Sequence, residues 1–133
     1  MSKTSILKFI DVIKFNDLGL VPVIAQQFNT NEVLMLAWMN SDALSETIET
    51  GNLCYWSRSR KKLWRKGEES GQKQKLKDLR WDCDADTLLV LVDQSGVACH
   101  TGRRSCFFKA LREDQIVEIS KVKIDPKKLY QNK

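Results

Sequence analysis

The sequence lacks any apolar run near the roughly 20 residues that are needed to cross a bilayer. Its amino-terminal stretch, MSKTSILKFIDVIKF, does not have the pattern of a signal peptide. The close Cys-x-x-Cys pairs of zinc fingers are missing, as is the His-x-Glu and Pro-Cys-x-x-Cys signature of nucleic-acid deaminases. We therefore expect a cytoplasmic protein with no membrane association that is neither a zinc finger nor a deaminase.

The composition is that of an ordinary globular protein, with 42% hydrophobic and 29% charged residues in a chain of 133. No internal repeat, linker or low-complexity segment interrupts it. This length predicts a single domain over residues 1–133. In the reducing cytosol, four cysteines favour metal binding or catalysis over disulfides.

The apolar pattern predicts an α+β fold, mainly antiparallel β-sheet with one or two short helices. Residues 20–26 and 33–39 flank an Asn-rich turn and read as a hairpin. An N-cap signal in the run Asn40-Ser41-Asp42 and a C-terminal glycine, Gly51, predict a helix over residues 41–50. Further expected elements are a helix over 6–13, strands over 53–56, 75–83, 87–92 and 97–100, and a strand or helix edge over 116–124.

Three aspartates alternate with other residues in the run Asp-Cys-Asp-Ala-Asp. In an extended chain, Asp82, Asp84 and Asp86 lie on one face and Cys83 on the other. Three neighbouring carboxylates repel each other unless a cation lies between them, and carboxylate oxygens suit Mg²⁺. The alternative is a polar loop whose aspartates cap turns. The run therefore predicts a magnesium site, with a thiol left free for a softer metal.

The other chemical signal is a set of three cysteines in polar surroundings, namely Cys83, Cys99 and Cys106. Three protein ligands leave one position of a tetrahedral zinc open for water, which is the catalytic pattern. The alternative is that these thiols are small apolar residues of the core. We assign that role to Cys54, which lies between Leu53 and Tyr55.

His100 is the only histidine and is adjacent to Cys99. Neighbours in an extended strand point to opposite faces, so both side chains do not readily bind one metal. We therefore expect His100 to act as a general acid or base beside the site.

A basic and aromatic stretch begins at the run Ser-Arg-Ser-Arg, residues 57–60, and continues through residues 63–71. Arginine forks and serine hydroxyls suit phosphate oxygens, and alternation would place the two arginines on one face. The net charge of +5 also favours an anionic partner. Two alternatives are a zinc-stapled RNA-binding module that uses the basic patch from Arg58 to Lys66, and a solvated loop.

These motifs together resemble the phosphoribosyl-AMP cyclohydrolase family of histidine biosynthesis, in its monofunctional form. The resemblance covers residues 18–108 and departs from the family pattern at Arg65, Ala85 and Val97, where threonine, glycine and proline are common. The matching blocks, in order, are LAWMN at 36–40, SRSR at 57–60, LWRKGEESG at 63–71, DCDADTLL at 82–89 and ACHTGRRSCF at 98–107.

The resemblance implies hydrolysis of 1-(5-phosphoribosyl)-AMP at the N1–C6 bond of its adenine ring. It implies a homodimer that shares each zinc site between subunits, and no nucleic-acid partner. By this resemblance the cysteines at 83, 99 and 106 bind zinc and the aspartates at 82, 84 and 86 bind magnesium. The residues that we expect to hold the two substrate phosphates are Ser57, Arg58, Ser59, Arg60, Lys66 and Ser70.

Overall fold

The computed structural model describes residues 2–130, and within them the chain forms three helices and eight strands. None of these helices is both long enough and apolar enough to cross a membrane. The elements in chain order are α1 (Lys3–Val12), β1 (Val21–Gln27), β2 (Val33–Met39), α2 (Ser41–Thr50), β3 (Cys54–Ser57), β4 (Lys62–Arg65), β5 (Gln74–Trp81), β6 (Leu88–Gln94), β7 (Lys109–Arg112), β8 (Gln115–Glu118) and α3 (Pro126–Leu129).

The main sheet has four strands in the order β2-β1-β6-β5. Burial alternates along β1 and β6, so one face of each strand packs into the core, as expected for a period of two residues. β1 pairs antiparallel with β2 and parallel with β6, and β5 pairs antiparallel with β6. The predicted α+β class with mainly antiparallel pairing is therefore confirmed, with one parallel pair at the centre of the sheet.

Helix α2 begins and ends at the residues that the sequence predicts. The Asn40 side chain accepts a hydrogen bond from the Ala43 N–H at 2.8 Å, and Gly51 ends the helix with φ of 75°. Leu44 is fully buried against the sheet. Thr47 accepts a hydrogen bond from the backbone N–H of Cys54 at 2.9 Å. The helix is thereby fixed to β3, the first strand of the hairpin that carries the basic stretch.

A buried chain of polar side chains links three strands. The Tyr55 hydroxyl donates to Gln74 Oε1 at 2.6 Å, and Gln74 Nε2 donates to Gln94 Oε1 at 2.7 Å. Gln94 Nε2 in turn donates to the Ser95 carbonyl at 2.7 Å. Because all three side chains are buried, loss of the bond from Tyr55 or from Gln74 would leave a buried amide oxygen without a donor. This chain therefore fixes the start of the loop that follows β6 and carries two of the cysteines.

Three sequence expectations about local conformation are wrong. The segment expected to form a strand over residues 97–100 instead leads into a turn, in which the Gly102 N–H donates to the Cys99 carbonyl at 3.0 Å. Residues 82–86 form a turn rather than an extended segment, with Ala85 at φ of 60°. Residues 58–61 form the turn of the β3–β4 hairpin, so their side chains do not alternate between two faces.

Candidate functional site

Cys99 and Cys106 are brought together by the loop between β6 and β7. Backbone hydrogen bonds close this loop on itself, with the Ala98 N–H donating to the Arg104 carbonyl at 3.0 Å. The Cys106 N–H donates to the Leu34 carbonyl at 2.7 Å, which attaches the loop to β2. The two thiols are neighbours, since Cys99 influences the pKa of Cys106 and both residues line the same cavity. The loop thus carries two neighbouring thiols.

The surroundings of Cys106 disfavour its free thiolate. Burial and the neighbouring Cys99 raise the pKa of Cys106 to about 12. The Thr101 hydroxyl donates a hydrogen bond to Cys99 Sγ at 3.0 Å. Burial also lowers the pKa of Lys66, although the charges of Cys106 and Cys99 act in the opposite direction. A metal cation between the two sulfur atoms would stabilise their charged form, so the donor chemistry fits a soft divalent ion such as zinc.

The three aspartates meet at the turn after β5. Their carboxylate oxygens lie within 4.8 Å of one another. Although desolvation acts the other way, hydrogen bonds from Asp86 lower the pKa of Asp82. The hydrogen bond to Asp82 raises the pKa of Asp86, and nearby negative charge adds to this effect. Crowded carboxylates of this kind fit a hard divalent cation. The turn, rather than strand alternation, is what places them together.

The third predicted zinc ligand is separated from the other two. Cys83 is exposed on the aspartate turn, next to Asp82 and Asp84. Within residues 2–130, the aspartate trio is the only group of three or more His, Cys, Asp or Glu side chains whose ligand atoms all lie within 4.8 Å of one another. Two of the three predicted cysteine ligands thus lie on the loop, and Cys83 does not complete a group of three with them.

A cavity of about 860 Å³ opens beside the cysteine pair, which is within the range of small-ligand sites. Its wall is built mainly from the β3–β4 hairpin, the segment that follows it and the cysteine loop. The predicted site residues in the wall are Ser57, Ser59, Arg60, Lys66, Ser70, Cys99, His100 and Cys106. Most of the predicted site residues therefore line one cavity.

The two arginines of the basic stretch face different surroundings. Arg60 lines the cavity, and its guanidinium lies 4.0 Å from the Glu69 carboxylate. Arg58 instead stacks over the ring of Trp38 at 4.8 Å and lines a separate shallow depression. Lys66 is buried, with only 8% of its surface exposed. The basic patch is thus divided among three environments, which does not favour a continuous surface for RNA.

Several residues of the cavity wall were not found from the sequence. Met35 and Ala37 come from β2, and Leu129 and Tyr130 come from the carboxyl-terminal end of the described chain. None of them carries a charge, and Met35, Leu129 and Tyr130 lie outside the motifs of the sequence. Their place in the wall follows from the pairing of distant segments, which no local pattern reveals.

Comparison with known proteins agrees with this geometry. The profile of the family described as phosphoribosyl-AMP cyclohydrolase matches residues 35–108. Three similar proteins carry that same name. The one from Hydrogenovibrio crunogenus is 62% identical over 118 residues, covering 89% of this chain and 80% of its own length. Those from Paramagnetospirillum magneticum and Granulibacter bethesdensis are 61% and 63% identical, covering 89% and 90% of this chain and 89% and 94% of their own.

The matched region contains both cysteines of the loop, the aspartate turn and the β3–β4 hairpin. Similarity thus extends across every element that contributes a predicted metal or phosphate ligand. The chain belongs to the phosphoribosyl-AMP cyclohydrolase family.

Proposed function

We propose that this enzyme hydrolyses 1-(5-phosphoribosyl)-AMP at the N1–C6 bond of the adenine ring, as a step of histidine biosynthesis. The observation that carries the proposal is the pair of cysteines, Cys99 and Cys106, at the wall of a cavity of nucleotide size. The family membership supplies the class of substrate. The product is the phosphoribosyl formimino carboxamide ribotide.

Zinc is the metal that we assign to the cysteine pair. A zinc site needs three or four protein ligands, and one chain offers two at this place. We propose that Cys83 of a second copy is the third ligand, because Cys83 is exposed and lies apart from the pair in its own chain. A two-fold homodimer would then contain two equivalent sites, since each chain gives a pair to one site and a single cysteine to the other.

The metals supply charge and an activated nucleophile. Zinc, when bound, lowers the pKa of a coordinated water towards about 7. We assign Mg²⁺ to Asp82, Asp84 and Asp86, where its charge would neutralise the crowded carboxylates. Calorimetric titration tests this second assignment. We expect Asp84→Asn to weaken magnesium binding about tenfold or more, and unchanged binding would contradict it.

The hairpin residues hold the phosphates of the substrate. Ser57 and Ser59 lie 3.4 Å apart at their hydroxyl oxygens and share the cavity wall with Arg60 and Ser70. Hydroxyl and guanidinium donors of this kind suit phosphate oxygens. Lys66 is buried in the wall and adds positive charge close to the cysteines. The anionic ends of the substrate are thus drawn to the hairpin, and its base to the cysteine loop.

His100 is the group that we assign to proton transfer. It lies in the cavity wall next to Cys99. In the reaction, the oxygen of water bonds to C6, the N1–C6 bond breaks, and a proton must move from the attacking water to the departing nitrogen. Imidazole is the side chain that most often performs such a transfer. We propose that His100 accepts the proton of the water.

Metal analysis combined with a spectrophotometric assay tests the proposal. We expect about one zinc per chain, loss of activity when zinc is chelated, and recovery when zinc is restored. Cys99→Ala should lose zinc and at least about 100-fold in activity. Cys54→Ala is the matched control, because Cys54 is a buried cysteine that does not line the cavity. Full activity without zinc, or an active Cys99→Ala, would show the proposal to be wrong.

A further inference from the structure

The carboxyl-terminal segment, residues 119–130, lies on the loop that carries the cysteine pair. The Gly102 carbonyl accepts hydrogen bonds from the N–H groups of Lys123 and Ile124, at 2.8 and 3.1 Å. Arg103 Nε donates to the Ser120 carbonyl at 3.0 Å. A Cβ on Gly102 would overlap the carbonyl oxygen of Ile124, so this close approach requires glycine. The segment is therefore attached to the central part of the cysteine loop.

The end of this segment is shaped to place an aromatic ring in the cavity. Pro126 begins α3, and the Asp125 carboxylate caps the helix by accepting from the Lys127 N–H at 3.0 Å. Leu129 is 5% exposed and anchors the helix. Tyr130 follows it in the cavity wall with 45% of its surface exposed. A half-exposed ring on an anchored helix is available to a ligand in the cavity.

We propose that Tyr130 is a substrate-binding residue whose ring packs on the adenine base. This inference rests on the proposed function, which places the base at the cysteine end of the cavity and the phosphates at the β3–β4 hairpin. The segment that ends at Tyr130 is hydrogen-bonded to Gly102 and Arg103 of the cysteine loop, and Tyr130 is the aromatic residue that this segment adds to the cavity wall. Stacking on an aromatic side chain is an effective way to hold a base. Tyr130 lies outside residues 35–108, so the family match does not assign this role.

Steady-state kinetics of Tyr130 variants test the proposal with phosphoribosyl-AMP as substrate. We expect Tyr130→Ala to raise KM about tenfold with kcat changed less than about twofold, since stacking acts on bound substrate and transition state alike. Tyr130→Phe keeps the ring and should restore the wild-type KM. Phe28→Ala is the control, because Phe28 is an aromatic residue of similar exposure, 42%, outside the cavity wall.

Two results would overturn the proposal. One is a wild-type KM in Tyr130→Ala, or in Tyr130→Leu, which keeps apolar bulk against α3 but has no ring. The other is a Tyr130→Phe variant as impaired as Tyr130→Ala, which would assign the effect to the hydroxyl. A different result, full activity without zinc, would contradict the zinc assignment. The comparison of KM between wild type and the Tyr130 variants would still be valid in that case.

Discussion

Arg65 of β4 donates two hydrogen bonds to Glu46 of α2, from Nε and Nη2 to the two carboxylate oxygens, each at 2.8 Å. Arg65 is one of the three positions at which we expect the sequence to depart from the family pattern. Arg65 does not line the cavity. Its partner is the helix, so the departure adds a tie between α2 and the β3–β4 hairpin rather than a contact with substrate.

This pair predicts a small, pH-dependent loss of stability in Glu46→Gln. The hydrogen bond from Arg65 lowers the pKa of Glu46, so the pair stabilises the folded state above the unfolded pKa, which is about 4.3. That contribution is lost as the pH falls through the lowered pKa of the folded state. Urea unfolding should therefore show the variant slightly less stable at pH 7, with the difference narrowing below about pH 4. A difference that grows in acid would contradict this assignment.

Tyr55→Phe should be clearly destabilising although it removes a single oxygen. Tyr55 is fully buried and donates to Gln74 Oε1 at 2.6 Å, so its loss leaves a buried acceptor without a donor. The expected cost is about 1–3 kcal/mol in the free energy of unfolding. Chemical denaturation of wild type and variant measures it, with Tyr130→Phe as the control at a half-exposed tyrosine. An unchanged unfolding midpoint would show that the buried chain does not stabilise the fold.

Arg58 and Arg60 should differ in their effect on substrate binding. Arg60 lines the cavity, whereas Arg58 stacks on Trp38 outside it. We expect Arg60→Ala to raise KM about tenfold, as for the loss of a charge-assisted bond to phosphate. Arg58→Ala should raise it less than about threefold. Equal effects of the two substitutions would show that both arginines reach the substrate.

The regular elements could be predicted from the sequence because their signals are local. Strand β2 and helix α2 have the expected bounds, since apolar spacing lies within each element and the caps at Asn40 and Gly51 lie directly beside the helix. The turn at Ala85 could not be predicted in this way. Its left-handed conformation is unusual for alanine and is held by contacts outside the run, such as the Lys14 N–H donating to the Ala85 carbonyl at 2.7 Å.

The site was predictable in its charged and thiol residues but not in its apolar wall. Residue types that carry chemistry, such as Cys99 and Arg60, stand out in a sequence, and motif order joins them. Nothing in the sequence marks Tyr130 as a site residue. Its segment is held against the cysteine loop by hydrogen bonds from Lys123 and Ile124 to Gly102, which lies far from them in the sequence. The separation of Cys83 from the cysteine pair could not be predicted from the sequence either, since it depends on where the fold places two turns that are distant in the chain.

The most direct test of the account is complementation between two inactive variants. Cys83→Ala and Cys99→Ala are each expected to be inactive, and the two chains are then refolded together or coexpressed. If each zinc site takes Cys83 from one chain and the cysteine pair from the other, half of the dimers are mixed and each contains one intact site. The account predicts recovery of roughly a quarter of the wild-type activity, with zinc bound in the same proportion. Mixtures that stay inactive although mixed dimers form would contradict a site shared between two chains.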